Sequence, residues 1–245
     1  MAGFGPTALV RGLSFLAEKQ ASIANNLANV DTTAFKRRTA LAQESAGFQS
    51  MLDRELTTID YREVSDLSRG VIRETGRDYD VAIDGPQWLR VEDAQGNRFF
   101  SRCGQLQLGP DGHLSTRDGL KVLDASNQPI SLGSGDDTPS QISISPNGTI
   151  GNPKTGQTFG TLALVTIPDP SQLVPQGKGL YQDTGNQPTT QASDGLQQGF
   201  LEGSNVDSLQ ELVQMITVER SFSATQRTLS GLNRLQENMI TNMLR

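Results

Sequence analysis

The sequence predicts an α+β fold: helices from the two ends pair as a coiled-coil-like inner domain, and a β-rich outer domain is inserted between them. Apolar residues recur at alternating spacings of three and four near both termini, a pattern typical of one helical seam. From about residue 80 the period changes to two and glycine-containing turns become frequent, which indicates short strands. We therefore expect residues 1–36 and 203–245 to form the helical inner domain, residues 73–202 the outer domain, and residues 37–72 an extended connection.

The N-terminal helix is expected to begin after Pro6, because proline suits the first helical turn. Asp31-Thr32-Thr33 provides the turn that ends it near Val30. A seam of apolar side chains needs a partner that buries it, so this helix is expected to pair. In the segment that follows, Ala40 to Leu56 is interpreted either as a short helix or as part of the extended connection. The seam consists of Leu9, Leu13, Leu16, Gln20, Ile23, Leu27 and Val30.

The middle of the chain predicts a series of short strands. Turns such as Asp118-Gly119 and Asn147-Gly148 separate them, since glycine and asparagine readily adopt turn conformations. Leu162 to Val165 is apolar on both faces, which predicts a central buried strand. The predicted strands are Val81–Ile83, Trp88–Val91, Arg98–Cys103, Gln105–Leu108, Leu120–Leu123, Ile130–Leu132, Ile142–Ile144 and Phe159–Ile167.

The C-terminal helix is expected to run from Ser208 to Met243, a length of ~54 Å. Ser208 to Glu211 has the spacing of a capping box, and Ser204 to Asp207 offers a cap one turn earlier. Its seam consists of Met215, Val218, Phe222, Thr225, Leu229, Leu232, Gln236, Met239 and Met243. A second stripe, offset from the seam, predicts that the early half of the helix contacts two neighbours; it consists of Leu209, Leu212 and Ile216. The alternative is that both seams belong to a helical hairpin inside an ordinary globular domain.

Charge and hydropathy exclude two classes of partner. The 245 residues carry a formal net charge of −6. Residues 1–36 contribute +1 and residues 207–245 contribute 0, so the middle carries −7. No basic face is available to neutralise phosphates, and we expect no nucleic-acid partner. No apolar run approaches the ~20 residues that span a bilayer, and we expect neither membrane insertion nor a cleavable signal peptide.

The residue types that support catalysis are scarce. His113 is the only histidine and Cys103 the only cysteine, which excludes an internal disulfide and a Cys/His zinc site. Asp78, Asp80 and Asp84 would serve as a carboxylate pair or a calcium site only if they converged. Their even spacing is more simply that of one solvated strand face. We therefore expect no enzymatic activity, no metal and no cofactor.

Four segments carry recognisable signatures. Asn25 to Lys36 is similar to the pattern A-N-N-x-A-N-x-x-T-x-G-[FY]-K, and Leu201 to Ile216 to L-E-x-S-N-V-x-x-x-x-E-x-V-x-M-I. Asp80 to Gly85 and Phe100 to Gly104 are similar to D-x-A-I-x-G and Y-[ST]-R-x-G. In this order, the four resemble the signatures of the bacterial flagellar rod and hook protein family. The departures are Ala34, which replaces a glycine of the pattern, and Gly203 and Cys103, which replace polar residues.

The resemblance implies a structural subunit of the flagellar basal-body rod. It implies export through the flagellar type III apparatus without cleavage, and helical assembly into a rod that crosses the periplasm and transmits torque. The implied partners are copies of this chain, other rod subunits and the export apparatus. An assembly role is expected for the seam and signature residues Leu9, Leu13, Leu16, Ile23, Asn26, Leu27, Asn29, Phe35, Asn205, Val206, Met215, Ile216, Phe222, Leu229, Leu232 and Met239.

Within the family, the chain resembles the proximal-rod type most. The segment between Lys36 and Gly70 is short, as in that type. Thr32 to Arg37 resembles the distal-rod type, which stays the alternative. A hook subunit would carry an additional outer domain. A secreted β-rich module that binds or hydrolyses glycans is the alternative from another class; it would need facing carboxylates and aromatic platforms, for which the chain offers Trp88 and three tyrosines.

Overall fold

A computed structural model describes residues 6–43, 60–133, 139, 141–185, 187, 189–191 and 194–243. Over this part of the chain the predicted α+β class is confirmed, with a helix near each end and strands between them. The α-helices are α1 (Pro6–Ala28) and α2 (Ser208–Met243), and a short 3-10 helix spans Pro170–Gln172. The strands are β1 (Arg38–Gln43), β2 (Asp60–Ser65), β3 (Ile72–Glu74), β4 (Val81–Ile83), β5 (Gln87–Glu92), β6 (Arg98–Ser101), β7 (Leu106–Leu108), β8 (Leu114–Thr116), β9 (Lys121–Val122), β10 (Ser143–Ile144), β11 (Thr149–Gly151), β12 (Thr158–Thr161), β13 (Leu164–Thr166), β14 (Leu173–Gly177), β15 (Leu180–Asp183), β16 (Thr190–Gln191), β17 (Leu196–Gln198) and β18 (Phe200–Glu202).

The chain folds into two compact units. The helical unit comprises Met1–Val30, Arg37–Asp66 and Val206–Arg245, and the β-rich unit comprises Asp31–Lys36 and Leu67–Asn205. The chain therefore passes from one unit to the other after residues 30, 36, 66 and 205.

The helical unit combines the two helices with one hairpin. Helix α1 contacts both α2 and β1, and β1 pairs with β2 from Arg38 opposite Ser65 to Gln43 opposite Asp60. The short-helix interpretation of Ala40 to Leu56 is wrong for residues 40–43, which belong to strand β1. Pairing with β2 supplies their backbone hydrogen bonds, so tertiary contacts decide the conformation over local propensity. Residues 44–56 lie outside the described part of the chain.

Helix α2 begins with an aspartate cap. The Asp207 Oδ1 atom accepts hydrogen bonds from the backbone N–H groups of Leu209 at 2.9 Å and Gln210 at 3.1 Å, as expected of an N-cap side chain. The predicted cap within residues 204–207 is therefore correct. The capping box at Ser208 is wrong, because the carboxylate of Glu211 bonds elsewhere.

A row of hydroxyl groups follows one side of α2. Thr217, Ser221 and Thr225 each donate a hydrogen bond to the carbonyl oxygen four residues earlier, at 2.8 to 2.9 Å. Such bonds keep the hydroxyl within the helix and are known to bend helices slightly. Neither α1 nor α2 combines the length and the hydrophobicity that crossing a bilayer requires.

Antiparallel sheets form the β-rich unit. The largest runs β14-β15-β6-β5-β9-β8-β7, and β13 pairs with both β5 and β16. Smaller groups are β10-β11-β12, β17-β4 and β18-β3. One apolar cluster fills the interior and includes Ile83, Leu89, Leu114 and Leu164, all fully buried. A second cluster surrounds Trp88, whose ring meets that of Tyr181 edge-on at 5.1 Å.

Two predicted strands differ in the structure. The strand expected over Phe159 to Ile167 is divided into β12 and β13, because the backbone changes partners between them. The Leu162 N–H donates to Gly148 and the Ala163 N–H donates to Leu123. The predicted central burial of residues 162–165 is nevertheless confirmed. Residues 130–132 contribute one isolated bridge, between Ser131 and His113, and single backbone hydrogen bonds rather than a strand.

Candidate assembly surface and buried signature contacts

The predicted seam of α1 corresponds to its less exposed face. Ile23 is buried, whereas Val10, Ala17 and Ala24 between the seam positions are exposed. Period 3.6 places the seam residues on one side of the helix, and this side shares its unit with α2. The seam residues that stay half-buried in the single subunit are Leu9, Leu13, Leu16, Gln20, Leu27 and Val30.

The seam of α2 follows the same rule over most of its length. Val218 is 4% exposed, and Leu13 of α1 lines one groove together with Leu229, Arg227 and Arg234 of α2. Towards the C-terminus the pattern ends, since Met239 is 64% exposed. The half-buried seam residues are Met215, Phe222, Thr225, Leu229 and Leu232.

The second stripe of α2 is exposed to solvent in the single subunit. Leu209 is 71% exposed and Ile216 is 50% exposed, and Leu212 and Val213 beside them are also exposed. Four large apolar side chains within three turns form a contiguous apolar face. Exposed apolar faces of this kind mark interaction surfaces in soluble proteins.

Asn26 lies inside the helical unit, where it joins three elements. Its side-chain N–H donates to the Arg38 carbonyl at 2.8 Å and to the Glu211 carboxylate at 3.2 Å, and its Oδ1 accepts from the Arg38 N–H at 2.8 Å. The Arg37 guanidinium also pairs with Glu211, and the Ser22 hydroxyl donates to the Arg38 carbonyl at 2.9 Å. Asn26 therefore contributes to the packing of α1, β1 and α2 within one subunit.

The buried Glu211 carboxylate accounts for the polar side chains of Asn26 and Arg37 around it. It is fully buried, and a buried carboxylate is costly unless charges and hydrogen bonds compensate it. Arg37 supplies the charge and Asn26 supplies a second donor. The N-terminal signature segment, through Asn26, and the C-terminal signature segment, through Glu211, thus meet at one buried site.

Glu202 forms a second buried ionic cluster, in the β-rich unit. Its carboxylate accepts from Lys36 Nζ at 2.6 Å, from Arg102 Nε at 2.9 Å and from the Gly70 N–H at 2.9 Å. The side chains of Lys36, Arg102 and Glu202 are exposed by 1%, 3% and 0%. Three of the four signature segments contribute one residue each to this cluster.

Two cations surround one carboxylate in this cluster. Main-chain carbonyl oxygens stabilise the excess positive charge by accepting hydrogen bonds from both cations. Lys36 Nζ donates to the Ser68 carbonyl at 2.6 Å. The two terminal nitrogens of Arg102 donate to the carbonyls of Gly85, Gln87 and Ile83 at 2.8 to 3.1 Å. The guanidinium also lies 5.6 Å from the centre of the Trp88 ring, which adds a cation–π contact.

The two cations decide the protonation state of Glu202. Burial by itself raises the pKa of this carboxyl, but Arg102, Lys36 and the Gly70 N–H together outweigh burial and hold the pKa below its usual value. The cluster is therefore ionic at neutral pH.

The backbone around the cluster is closely packed. A Cβ atom added at Gly70 would clash with the Gly203 carbonyl, and one added at Gly104 would clash with the Val81 carbonyl. Glycine is required at both positions by close approach of another chain segment. Ala34 has a positive φ of 55°, so the left-handed turn that the signature glycine provides persists although alanine occupies the position.

The remaining predicted assembly residues lie in the two signature segments near the chain termini. Phe35 and Val206 are buried. The Asn205 N–H donates to the Phe35 carbonyl at 3.3 Å, and its side chain donates to the Ser68 carbonyl at 3.1 Å. Asn29 is half-buried on the last turn of chain after α1 and donates to the Asn25 carbonyl at 2.8 Å.

Sequence reasoning missed the charged residues of both clusters as functional positions. Lys36, Arg102, Glu202 and Glu211 stand in the signature segments, but their charge suggested exposed positions. Their place inside the signature segments marks these positions as distinctive, but nothing local in the sequence indicates that they are buried or with which residues they pair.

Reactive groups do not converge in the described residues. Burial raises the pKa of the Cys103 thiol, which disfavours the nucleophilic thiolate. Among the residues whose positions are described, no group of three His, Cys, Asp or Glu side chains is arranged to hold a metal ion.

Family models match three parts of the chain in the order of its signatures. Residues 8–36 match the model described as flagella basal body rod protein, residues 82–151 the flagellar hook protein FlgE/F/G D1 domain, and residues 197–243 the flagellar basal body rod FlgEFG protein C-terminal.

Full-length relatives show the same similarity. The rod protein FlgG of Buchnera aphidicola subsp. Schizaphis graminum is 31% identical, and the alignment covers 89% of this chain and 91% of the relative. FlgG of Agrobacterium fabrum is 28% identical over 90% of this chain and 92% of its own length. FlgF of Caulobacter vibrioides is 28% identical over 90% of each chain. The chain therefore belongs to the flagellar basal-body rod protein family and is a structural subunit of the rod.

Proposed function

We propose that this rod subunit occupies the proximal rod, where its terminal helices pair as a coiled coil and assemble helically with neighbouring subunits to transmit torque. The observation that carries the proposal is the exposed apolar face of Leu209, Leu212, Val213 and Ile216 on α2. Together with the half-buried seams, it supplies two apolar surfaces on one helix. A subunit with two such surfaces can contact two neighbours, as an open helical assembly requires.

The apolar surfaces also provide the driving force for assembly. Fully burying an exposed leucine or isoleucine side chain contributes about 1.5–3 kcal/mol, and completing the burial of a half-buried one contributes part of that. Several half-buried seam residues and four exposed residues would gain burial from each neighbour. The proposed assembly residues are those that the seams and signatures predict, with Asn26 acting from within the subunit because its side chain is buried.

The proposed partners follow from family membership. They are copies of this chain, other rod subunits, and the flagellar type III export apparatus, which would deliver the chain without cleavage to a rod in the periplasm. The proximal assignment is supported by the short segment between Lys36 and Gly70. Relatives named FlgG and FlgF match similar shares of the chain, so distal rod is the competing assignment.

Electron microscopy of basal bodies from a deletion strain tests the position in the rod. If the chain belongs to the proximal rod, basal bodies from the deletion strain should lack both the proximal and the distal rod, because assembly cannot pass the missing layer. A rod stub of proximal length in these basal bodies would instead assign the chain to the distal rod. Intact-mass measurement of the assembled subunit tests the proposal that no N-terminal peptide is removed.

A further inference from the structure

Glu202 is the point at which three distant segments of the β-rich unit meet. Its carboxylate contacts Lys36, Arg102 and the Gly70 N–H, and its own backbone carbonyl accepts from the Ala34 N–H at 2.8 Å. Glu202 lies at the end of β18. Through its side chain and its backbone carbonyl it binds residues in the segments 31–36 and 67–70.

The three segments also contact one another directly. Lys36 of the first segment donates to Ser68 of the second at 2.6 Å. Asn205, which follows β18, donates to Phe35 of the first segment at 3.3 Å and to Ser68 of the second at 3.1 Å. The contacts form a closed triangle, in which every segment is bound to both others.

These segments are the places where the chain enters or leaves the β-rich unit. The unit boundaries fall after residues 30, 36, 66 and 205. A force that reaches the β-rich unit through the chain therefore arrives at residues 31–36, 67–70 or 200–205. The triangle joins the three segments to one another at the places where such a force would enter.

The ionic character of the triangle makes its opening cooperative. Removing one partner of a buried charge leaves the others uncompensated in a medium of low polarity. Separating Lys36 from Glu202 would leave the Lys36 ammonium buried without its carboxylate, and removing the Glu202 charge would leave both Lys36 and Arg102 without one. The segments consequently separate together or remain together.

We propose that Glu202, Lys36 and Arg102 form an ionic lock that closes the three crossing segments as one cooperative unit, distinct from the sheet core of the β-rich unit. The lock would keep the crossing segments joined while the subunit carries torque, and this purpose rests on the proposed function. The lock itself is a property of the isolated subunit and is tested there.

Native-state hydrogen exchange on the purified full-length chain tests the lock. The amides of Ala34 and Gly70 report it directly, because both donate to Glu202. The amides of Leu114 and Leu162, bonded to Ile130 and Gly148, report the sheet core. In Glu202→Gln we expect exchange at Ala34 and Gly70 to rise at least about tenfold, with little change at Leu114 and Leu162.

Lys36→Met provides a second variant, since it leaves Arg102 and Glu202 as a neutral pair and is expected to fold. It should raise exchange at Ala34 and Gly70 as well. Asp118→Asn is the matched control, because Asp118 pairs with Lys178 at 3.8 Å on the surface of the same unit, and it should change none of the four amides. Equal acceleration of all four amides in both lock variants, or no acceleration at Ala34 and Gly70, would overturn the proposal. Either result leaves the position in the rod untouched, since electron microscopy measures that separately.

Discussion

Gly104 shows how strongly a single signature residue is constrained by its neighbours. Its φ is not in the left-handed region, and the constraint is steric, because an added Cβ would clash with the backbone carbonyl of Val81. Backbone atoms cannot rotate away as a flexible side chain can. The Gly104 carbonyl also accepts from the Val81 N–H at 2.9 Å, so moving the two segments apart would weaken this hydrogen bond.

Gly104→Ala is therefore expected to destabilise the β-rich unit by about 1–3 kcal/mol, the usual cost of forced overpacking. Urea denaturation followed by Trp88 fluorescence measures the change. Gly96→Ala is a control for the effect of adding a methyl group without a clash, because nothing lies near its Cβ position, although its positive φ of 85° adds some backbone strain. A Gly104→Ala midpoint equal to that of the native chain would contradict the steric argument.

A substitution at Ala34 is expected to raise the stability of the β-rich unit rather than lower it. Its φ of 55° costs an alanine about 1 kcal/mol that a glycine does not lose, while glycine loses more entropy on folding. We expect Ala34→Gly to stabilise the β-rich unit by about 0.5 kcal/mol, which denaturation midpoints at constant m-value would detect. Ala163→Gly, at a buried position in the same unit, should destabilise it, and a loss of stability in both variants would refute the strain argument.

The Glu202 cluster predicts how stability depends on pH. The folded-state pKa of Glu202 is lowered, so the unfolded chain binds its proton first as the pH falls. The cluster then stabilises the fold fully above the unfolded pKa of about 4.3, and this contribution is lost as the pH falls through the folded pKa. The free energy of unfolding in urea should therefore fall more steeply with decreasing pH for the native chain than for Glu202→Gln. Equal slopes in the two proteins would show that Glu202 titrates alike in both states.

At the scale of elements, α2 has two apolar faces that differ in exposure. Val218 is 4% exposed and packs within the helical unit, whereas Ile216, two residues earlier, is 50% exposed. Period 3.6 separates these two positions around the helix. The contrast allows folding within the subunit to be distinguished from assembly between subunits.

Val218→Ala should destabilise the helical unit of the purified full-length subunit by about 0.5–2 kcal/mol, measured by circular dichroism at the helix signal. Ile216→Ala should leave that stability nearly unchanged, yet reduce motility in a complemented deletion strain. Glu219→Ala, exposed on the same helix, is the control for motility. Normal swimming of the Ile216→Ala strain would mean that the exposed face does not contact a neighbour.

The helices were the most predictable elements, because each has a long and regular pattern. Helix α2 begins at Ser208 and extends to Met243 as expected, and α1 ends two residues before Val30. Strand β1 was harder to predict, since its sequence suits a helix and only pairing with β2 decides its conformation. The division of residues 158–166 between two strands likewise depends on long-range backbone partners, Gly148 and Leu123.

The buried ionic clusters could not be predicted from the sequence. Lys36, Arg102 and Glu202 are separated by up to 166 positions, and no local pattern indicates that they meet. Their signatures identified the family, while their physical role depends on the topology that brings the crossing segments together. The seams, by contrast, are local in sequence, and their burial pattern followed the helical period except near the C-terminus, where Met239 is exposed.

For the whole molecule, limited proteolysis should separate the two units. The β-rich unit is stabilised by two buried apolar clusters and the buried ionic lock. The helical unit, by contrast, has apolar residues on α2 that stay exposed in the single subunit. Helices without their full set of partners are marginal in water. Mass spectrometry of the digest should show an early cut within α1 or α2 and a persistent fragment that contains residues 67–205. Survival of residues 8–28 for as long as that fragment would contradict this order.

The hydroxyl row of α2 affects how closely another helix can approach. Thr217, Ser221 and Thr225 already donate to carbonyl oxygens of their own helix, so covering them strips few hydrogen bonds to water and carries a small desolvation cost. The side chains are short, and nothing in the row demands a matching polar group on the opposite surface. Because such bonds are known to bend helices slightly, the row also marks the stretch of α2 in which a gentle bend costs least.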